Sequence, residues 1–339
     1  MKKTLIFLIF AVAGLLAGSA LHIWTQWQKP STNSASIIIS IPKGSSPATV
    51  GRILQDSGII QSGKHFQWYL RIMRRGSELK AGHFQIPGGL TIPQIADLIL
   101  GGKEAAVWIT IPEGHASWEI FSMIKERYPK LDSAKWDSLV HDADFTQSLN
   151  VSGSSLEGWL FPDTYPFPIG ANERTIITQM VHAAHHCIES LDNGSTSEFS
   201  RLGGWQQTLT LASIVEKETG KDDERPHVAG VFHNRLRQHI PLGADPTVRF
   251  IFRNMTGPIY MSQLNSDSPY NTRKFAGLPP GPIANPGRKA IDAALHPLQT
   301  EDLYFVAKDD GVGGHFFAKT LKQHNEYKDI AARNRGEKK

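Results

Sequence analysis

The chain has 339 residues, 40% of them hydrophobic, with a formal net charge of +4, a mean hydropathy of -0.27 and a pI near 9.0. That composition gives ample core for one large or two ordinary domains and excludes both a disordered chain and a polytopic membrane protein. The basic excess suits an anionic surface but is too small for a nucleic-acid partner, and zinc-finger spacing, a Gly-rich phosphate loop and an RNA-binding aromatic signature are all missing.

At the N-terminus, Lys2 and Lys3 precede an uncharged run from Thr4 to Leu21, followed by Trp24 and Trp27. A run of that length can just span a bilayer, with the lysines cytoplasmic and the tryptophans at the far interface. Residues 1–27 are therefore expected to be a cytoplasmic tip and a single-pass transmembrane helix in the inner membrane. The bulk of the chain then lies in the periplasm. Gly18-Ser19-Ala20 would also suit signal-peptide cleavage, and both readings export the protein.

Residues 28–36 (QKPSTNSAS) read as a linker. A small α+β module is expected over residues 37–104. Its strands are Ile37–Ile41 and His83–Ile86. Its helices carry Val50, Ile53 and Leu54 on one face, then His65–Arg74, then Ile95, Leu98 and Ile99 before Gly101-Gly102. One pattern recurs: Ile41-Pro42-Lys43-Gly44, Ile86-Pro87-Gly88-Gly89 and Ile111-Pro112-Glu113-Gly114 each join a strand to a helix. Proline fixes the turn and glycine permits the positive dihedral.

A larger, helix-rich α+β domain is expected over residues 105–335. Helices are predicted at Trp118–Tyr128, Glu173–Leu191, Trp205–Thr219 and Arg225–Arg237, the last with Pro226 in its first turn. Leu156–Tyr165 is an aromatic-rich loop. Beyond Gln238 the chain is rich in Pro, Gly and Asn. Leu303–Ala307 reads as a buried strand, Gly311–Phe317 as a hairpin turn leading into His315-Phe316-Phe317, and Thr320–Ala332 as a final helix.

The segment Leu209–Gly220 (LTLASIVEKETG) carries the chemistry. At 100° per residue, Leu211, Ile214, Val215 and Glu218 share one face, whereas Glu216 points to the polar side with Lys217. A carboxylate in line with an apolar stripe is costly unless paired or protonated. Glu218 also falls in the last helical turn, before Gly220 as a C-terminal cap, where the helix dipole disfavours a negative charge. Both effects raise its pKa, as a general acid requires. The same pattern is compatible with a plain ion pair to Arg235 or Arg237. Asn234, Asp245, Tyr270, Asn271 and Thr272, set among the Pro- and Gly-rich segments GADPT, YNT and GLPPGPIANPG, offer hydrogen bonds and a stacking face for sugars, or else simple turn chemistry.

The ordered motifs LASIVEKET, FHNRL (Phe232–Leu236), DPT (Asp245–Thr247), YNT, GLPPGPIANPG and LYFVA…GGHFF resemble the endolytic murein transglycosylase (MltG/YceG-like) family. The likeness runs over about Trp108–Ala332, and the N-terminal anchor and a LysM-like module extend it to nearly the whole chain. The resemblance implies cleavage of the β-1,4 bond between N-acetylmuramic acid and N-acetylglucosamine within a nascent strand. The products carry 1,6-anhydro muramyl ends, strand growth stops, and no cofactor is needed. It makes Glu218 the catalytic acid/base. Departures are His233 within FHNRL and Arg273 after YNT, where an apolar residue and tyrosine are usual. The implied partners are peptidoglycan glycan strands, the inner membrane through the N-terminal helix, and, transiently, peptidoglycan synthases.

Glu157, Asp163 and Asp245 are candidates for a second carboxylate, and Glu157 is also a candidate substrate contact. One standing within about 5–9.5 Å of Glu218 would favour a hydrolytic muramidase instead. A glycan-binding scaffold without catalysis is the remaining alternative. His315, after Gly313-Gly314, is a further candidate for the cleft wall. His182, His185, His186 and Cys187 share a helix but lack an H-E-x-x-H partner, and read as helix surface with Cys187 inward rather than as a metal site.

Overall fold

Strands account for little of this helix-rich α+β chain, whose computed structural model describes residues 2–31, 35–191, 197–253 and 255–336. The chain divides into two units, Met1–Trp108 with Pro166–Ala171, and Ile109–Tyr165 with Asn172–Lys339.

The first unit begins with helix α1 (Lys2–Trp27). Among the described residues no helix is long and apolar enough to cross a membrane; the side chains of residues 2–9 and 16, part of the expected apolar run, lie outside the described set, as do linker residues 32–34. Trp24 is exposed, but Trp27 is buried. Its indole donates to the His65 carbonyl at 3.1 Å and meets the Tyr69 ring edge-on at 5.2 Å. Trp27 thus packs into the module that follows, not at a bilayer interface as its spacing suggested.

In that module β1 (Ile37–Ile41) runs antiparallel to β2 (Gly82–Ile86), pairing Ile37 with Ile86 and Ile41 with Gly82. Helices α2 (Pro47–Asp56), α3 (Gly63–Ile72) and α4 (Ile92–Leu100) complete it. The Ser46 hydroxyl caps α2 by accepting from the Thr49 N–H at 3.1 Å. Ile39, Val50, Leu54, Phe66, Leu70, Phe84, Ile95 and Ile99 form the core. Gly51 and Gly63 let α2 and α3 touch through their backbones: a Cβ on Gly63 would lie 2.6 Å from the Gly51 carbonyl.

Strands β3 (Ala106–Thr110) and β4 (Thr164–Pro168) pair as a ribbon, and the division between the units falls within it. All three Ile-Pro-x-Gly turns close as their residues suggested. Gly44, Gly89 and Gly114 adopt φ of 74°, 77° and 75°.

The second unit contains α5 (Ser117–Arg127), α6 (Ser133–Val140), α7 (Ala143–Ser148), α8 (Glu173–Leu191), α9 (Ser197–Leu202), α10 (Trp205–Glu218), α11 (Arg225–Arg237), α12 (Asp245–Ile251), α13 (Met261–Leu264), α14 (Arg288–Leu295), the antiparallel pair β5 (Tyr304–Ala307) and β6 (His315–Ala318), and α15 (Leu321–Gly336). Helix α10 is its axis: every residue from Thr208 to Val215 is buried, and α11, α12 and α14 pack around it. A helix buried all round can hold a side chain at its end with little freedom. Helices α6 and α7, which the apolar pattern did not announce, start at Asp132 and Asp142, whose carboxylates accept from the N–H groups of Lys135 and Phe145. The Pro/Gly/Asn-rich stretch after Gln238 folds into three helices, α12–α14, not only loops. Strand β5 was expected to be buried. Instead Tyr304, Phe305 and Val306 are half-buried and Ala307 is exposed, because this strand forms one wall of an open cleft.

Candidate active site

Glu218 is the last residue of α10. Leu211, Ile214 and Val215 bury the stripe below it, and its side chain emerges into a cleft of about 480 Å³ lined also by Arg235, Gly243, Asp245, Arg273, Tyr304, Phe305 and His315. The helix ends without the expected left-handed glycine: Thr219 turns the chain into extended conformation (φ -139°, ψ 133°), and Gly220 has no positive φ.

Burial pushes the Glu218 carboxyl up to about 7, and the negative charge of Asp245 adds to the rise; Arg235 and Arg273 oppose it without cancelling it. Among the described residues none forms an ion pair or hydrogen bond with the Glu218 carboxyl. The two arginines that could have neutralised it are held elsewhere. Arg235 donates to the carbonyls of Leu303 (2.6 Å) and Leu242 (2.7 Å). Arg237 donates to the Asn234 side chain and lies 3.8 Å from Glu198. The structure therefore lacks the plain ion pair that the sequence left open.

Asp245 begins α12 and reaches the same cleft, about half exposed and paired with Arg273. Its position is set by Thr272, whose hydroxyl accepts from the Ala244 N–H (3.1 Å) and bonds the Thr247 hydroxyl (2.9 Å). Thus Thr272, expected at the substrate, is a buried brace between the DPT and YNT segments. His315 lines the cleft too, and its ring Nδ1 lies 2.7 Å from Glu224 Oε2 while its N–H donates to Oε1 at 2.9 Å. Burial alone would raise the Glu224 carboxyl, but these two hydrogen bonds, together with the charges of His315 and Lys221, outweigh it and hold the group below its ordinary value.

Four other expected substrate contacts lie elsewhere. Asn234 is buried, and its amide donates to the carbonyls of Thr300 (2.9 Å) and Asp302 (2.8 Å). Asn271 is fully buried and donates to Leu264 and Ser266 carbonyls at 2.9 Å. Tyr270 is half-buried, with its ring 5.0 Å from that of Phe250. Glu157 is buried. Both its oxygens accept from the Ser117 N–H at 3.1 Å, and Oε1 also accepts from Asn285 Nδ2 at 2.8 Å. Burial raises its pKa to about 7 despite those hydrogen bonds. Asn234, Asn271 and Glu157 have thus spent their polar atoms on the fold. Asp163 likewise accepts from the neighbouring Thr164 N–H at 2.7 Å.

Glu157 and Asn285 do serve the site indirectly. Asn285 Oδ1 accepts from the Leu160 N–H and its amide donates to the His115 carbonyl, so the GLPPGPIANPG loop is pinned to the Leu156–Tyr165 loop. The Ile283 N–H donates to the Ser213 hydroxyl at 3.0 Å, which ties that loop to α10.

The largest departure concerns Glu216. Helical periodicity sent it to the polar side, yet its carboxylate is almost inaccessible. It accepts from Arg225 Nη2 at 2.7 Å and from the Gly287 N–H at 3.0 Å. Arg225 is itself buried, pairs with Asp222 and lies 3.9 Å from Glu113. This cluster locks the end of α10 to the start of α11 two positions before Glu218. On α8, Cys187 is buried, His185 lies against the Trp159 ring and the Leu149 carbonyl, and His182 and His186 are exposed. Tyr304, Phe305 and His324 are among the cleft residues that the sequence did not single out, and Arg273 was marked only as the departure after YNT.

A family model described as the YceG-like family matches residues 39–330. The chain is 33% identical over 321 residues to a Bacillus subtilis (strain 168) protein named endolytic murein transglycosylase, covering 90% of this chain and 88% of that one. A Streptococcus pneumoniae (strain D39) protein of the same name is 28% identical over 323 residues, or 85% of this chain and 57% of that one. A crystal structure of a yceG-like protein from Listeria monocytogenes aligns with a TM-score of 0.58 and 32% identity, covering 87% of this chain and 99% of that one.

Proposed function

The chain belongs to the YceG-like family, and on that premise we propose that it is an endolytic murein transglycosylase with Glu218 as its acid and base. The observation that carries this reading is one carboxyl group, raised to about 7 and held without a counter-ion at the wall of an open cleft. It cleaves the β-1,4 bond between N-acetylmuramic acid and N-acetylglucosamine inside a peptidoglycan strand. Glu218 delivers its proton to the glycosidic oxygen as the bond breaks. The carboxylate so formed takes the proton of the muramyl C6 hydroxyl, whose oxygen closes onto C1. The product ends in a 1,6-anhydro sugar, and Glu218 is protonated again. One carboxyl suffices because the nucleophile is internal, whereas glycoside hydrolysis engages a pair.

Asp245 supports a second reading. Its charge reaches Glu218 across the same cleft, so it could direct water and give a hydrolytic product. Its pairing with Arg273 favours the lytic route, because a clamped carboxylate is a poor base. Product mass separates the two: digestion of nascent peptidoglycan by the protein should give fragments lighter than hydrolytic ones by one water. Glu218→Gln should abolish them. Full-weight reducing ends would establish the muramidase, and cells that tolerate Glu218→Gln without any change in glycan length would point to a scaffold.

The remaining assignments are of the same kind. The apolar run Thr4–Leu21 supports a single-pass inner-membrane anchor with a periplasmic catalytic unit. The strand–helix composition of residues 37–104 supports a LysM-like glycan-binding module. An anchor next to emerging strands suits termination of glycan elongation beside the synthases.

A further inference from the structure

On the other side of Asp245 lies a second opening, of about 340 Å³, and the Asp245 side chain belongs to both walls. Trp118 and Phe250 stand half-buried along it, ring centroids 5.2 Å apart and planes inclined by 42°. Such a surface takes a pyranose ring or a planar amide. Three cations surround it: Lys217, Arg249 and Arg253. Arg253 is engaged, lying 4.5 Å over the Trp118 ring and 3.5 Å from Asp137.

Lys217 and Arg249 differ. Each gives one hydrogen bond to a backbone carbonyl, Lys217 to Gly114 at 2.9 Å and Arg249 to Gly257 at 3.0 Å. Among the described residues neither pairs with a carboxylate. The acidic groups of the lining are taken up elsewhere: Glu119 accepts from the Ala116 N–H and faces His115, and Asp245 pairs with Arg273. Positive charge beside an aromatic surface, with no counter-ion supplied by the protein, matches a ligand that brings its own carboxylates.

We infer that this second cleft receives the acidic peptide substituent of the muramyl residues, its carboxylates meeting Arg249 and Lys217 while the glycan passes Asp245 towards Glu218. The inference rests on the glycan-cleaving reading and adds the part of the substrate that the chemistry at Glu218 never touches. A strand stripped of peptide keeps only its lactyl carboxylates next to the ring and has nothing to place against Arg249.

The test compares peptide-bearing strands with the same strands stripped by an amidase, in the full-length protein. For Arg249→Gln, the ratio of kcat/KM between the two substrates should fall about fivefold, through KM rather than kcat; exposed charge pairs of this kind are worth about that much. Arg249→Glu should lower the ratio further and Arg249→Lys should restore it. A ratio equal to the wild type's in the Gln and Glu variants overturns the inference, whatever their absolute rates. Binding of both strands to Glu218→Gln protein reads the same discrimination without turnover. Equal affinity for the two strands there also overturns it. Absence of anhydro ends with wild-type protein, alongside preserved discrimination in binding, would instead refute the catalytic reading.

Discussion

The pH dependence of cleavage tests the reasoning about Glu218 most directly. The acid must carry its proton when the glycosidic bond breaks. A carboxyl titrating at its ordinary value of 4.5 would be protonated in only about 0.3% of molecules at pH 7, whereas one raised to about 7 is protonated in about half, roughly a 150-fold gain. The kcat/KM for strand cleavage, which reports the free protein, should therefore be flat below pH 6 and fall about tenfold for each further unit above 8, with the bend near 7. His324 shares the cleft, and burial holds its ring below the ordinary value, away from a bend near 7. Asp245→Asn removes the negative charge that helps to raise Glu218 and releases Arg273 from its partner. Both changes stabilise the Glu218 carboxylate, and the bend should move to lower pH. Arg273→Gln removes an opposing positive charge and should move it up. Steady-state rates on defined strands across pH 5–9 suffice. A rate that climbs through pH 7, or a bend that stays put in Asp245→Asn, would refute the assignment of the acid and of the charges that tune it.

Three further outcomes follow from packing and linkage. Glu157 has its folded-state pKa raised to about 7 against 4.5, so its contribution to stability is complete below pH 4.5 and disappears as pH rises through 7. The interval corresponds to roughly 3 kcal/mol, and Glu157→Gln, which keeps an acceptor for Ser117 and Asn285, should flatten the decline of Tm between pH 5 and 8. Arg225→Ala leaves the buried Glu216 carboxylate without its partner and should cost about 3–5 kcal/mol in a urea melt; a loss below 1 kcal/mol would mean that the cluster is not structural. Gly230→Ala drives a Cβ to 2.4 Å from the Leu298 carbonyl oxygen and should destabilise by about 1–3 kcal/mol, with an unchanged melt as the contrary result.

Periodicity and turn chemistry made much of the architecture readable. Helices α8 and α11 begin and end where apolar spacing, Pro226 and the flanking loops place them, because those signals are local. Helices α12–α14 escaped notice because they are short and sit among proline and glycine, where loop composition masks a few helical turns. At the site, Glu218 could be found from its apolar stripe, since the stripe lies on the helix that carries it. The burial of Glu216 could not: its environment comes from Arg225 and from Gly287, 71 residues away. The same holds for Asn234, Asn271 and Thr272. Their residue types suit a sugar as well as they suit a backbone carbonyl, and only the fold decides which is within reach. Arg273 reached the cleft by way of a loop, where no period exists to reveal a direction.

Because Glu218 closes α10, the number of residues in that helix acts as a gauge for the acid. Each residue added to or removed from its buried stretch would swing the carboxyl by about 100° and displace it by about 1.5 Å, turning it from the glycan towards the Arg225 cluster. Evolution can lengthen the loops around this cleft freely, but α10 tolerates rewording only letter for letter.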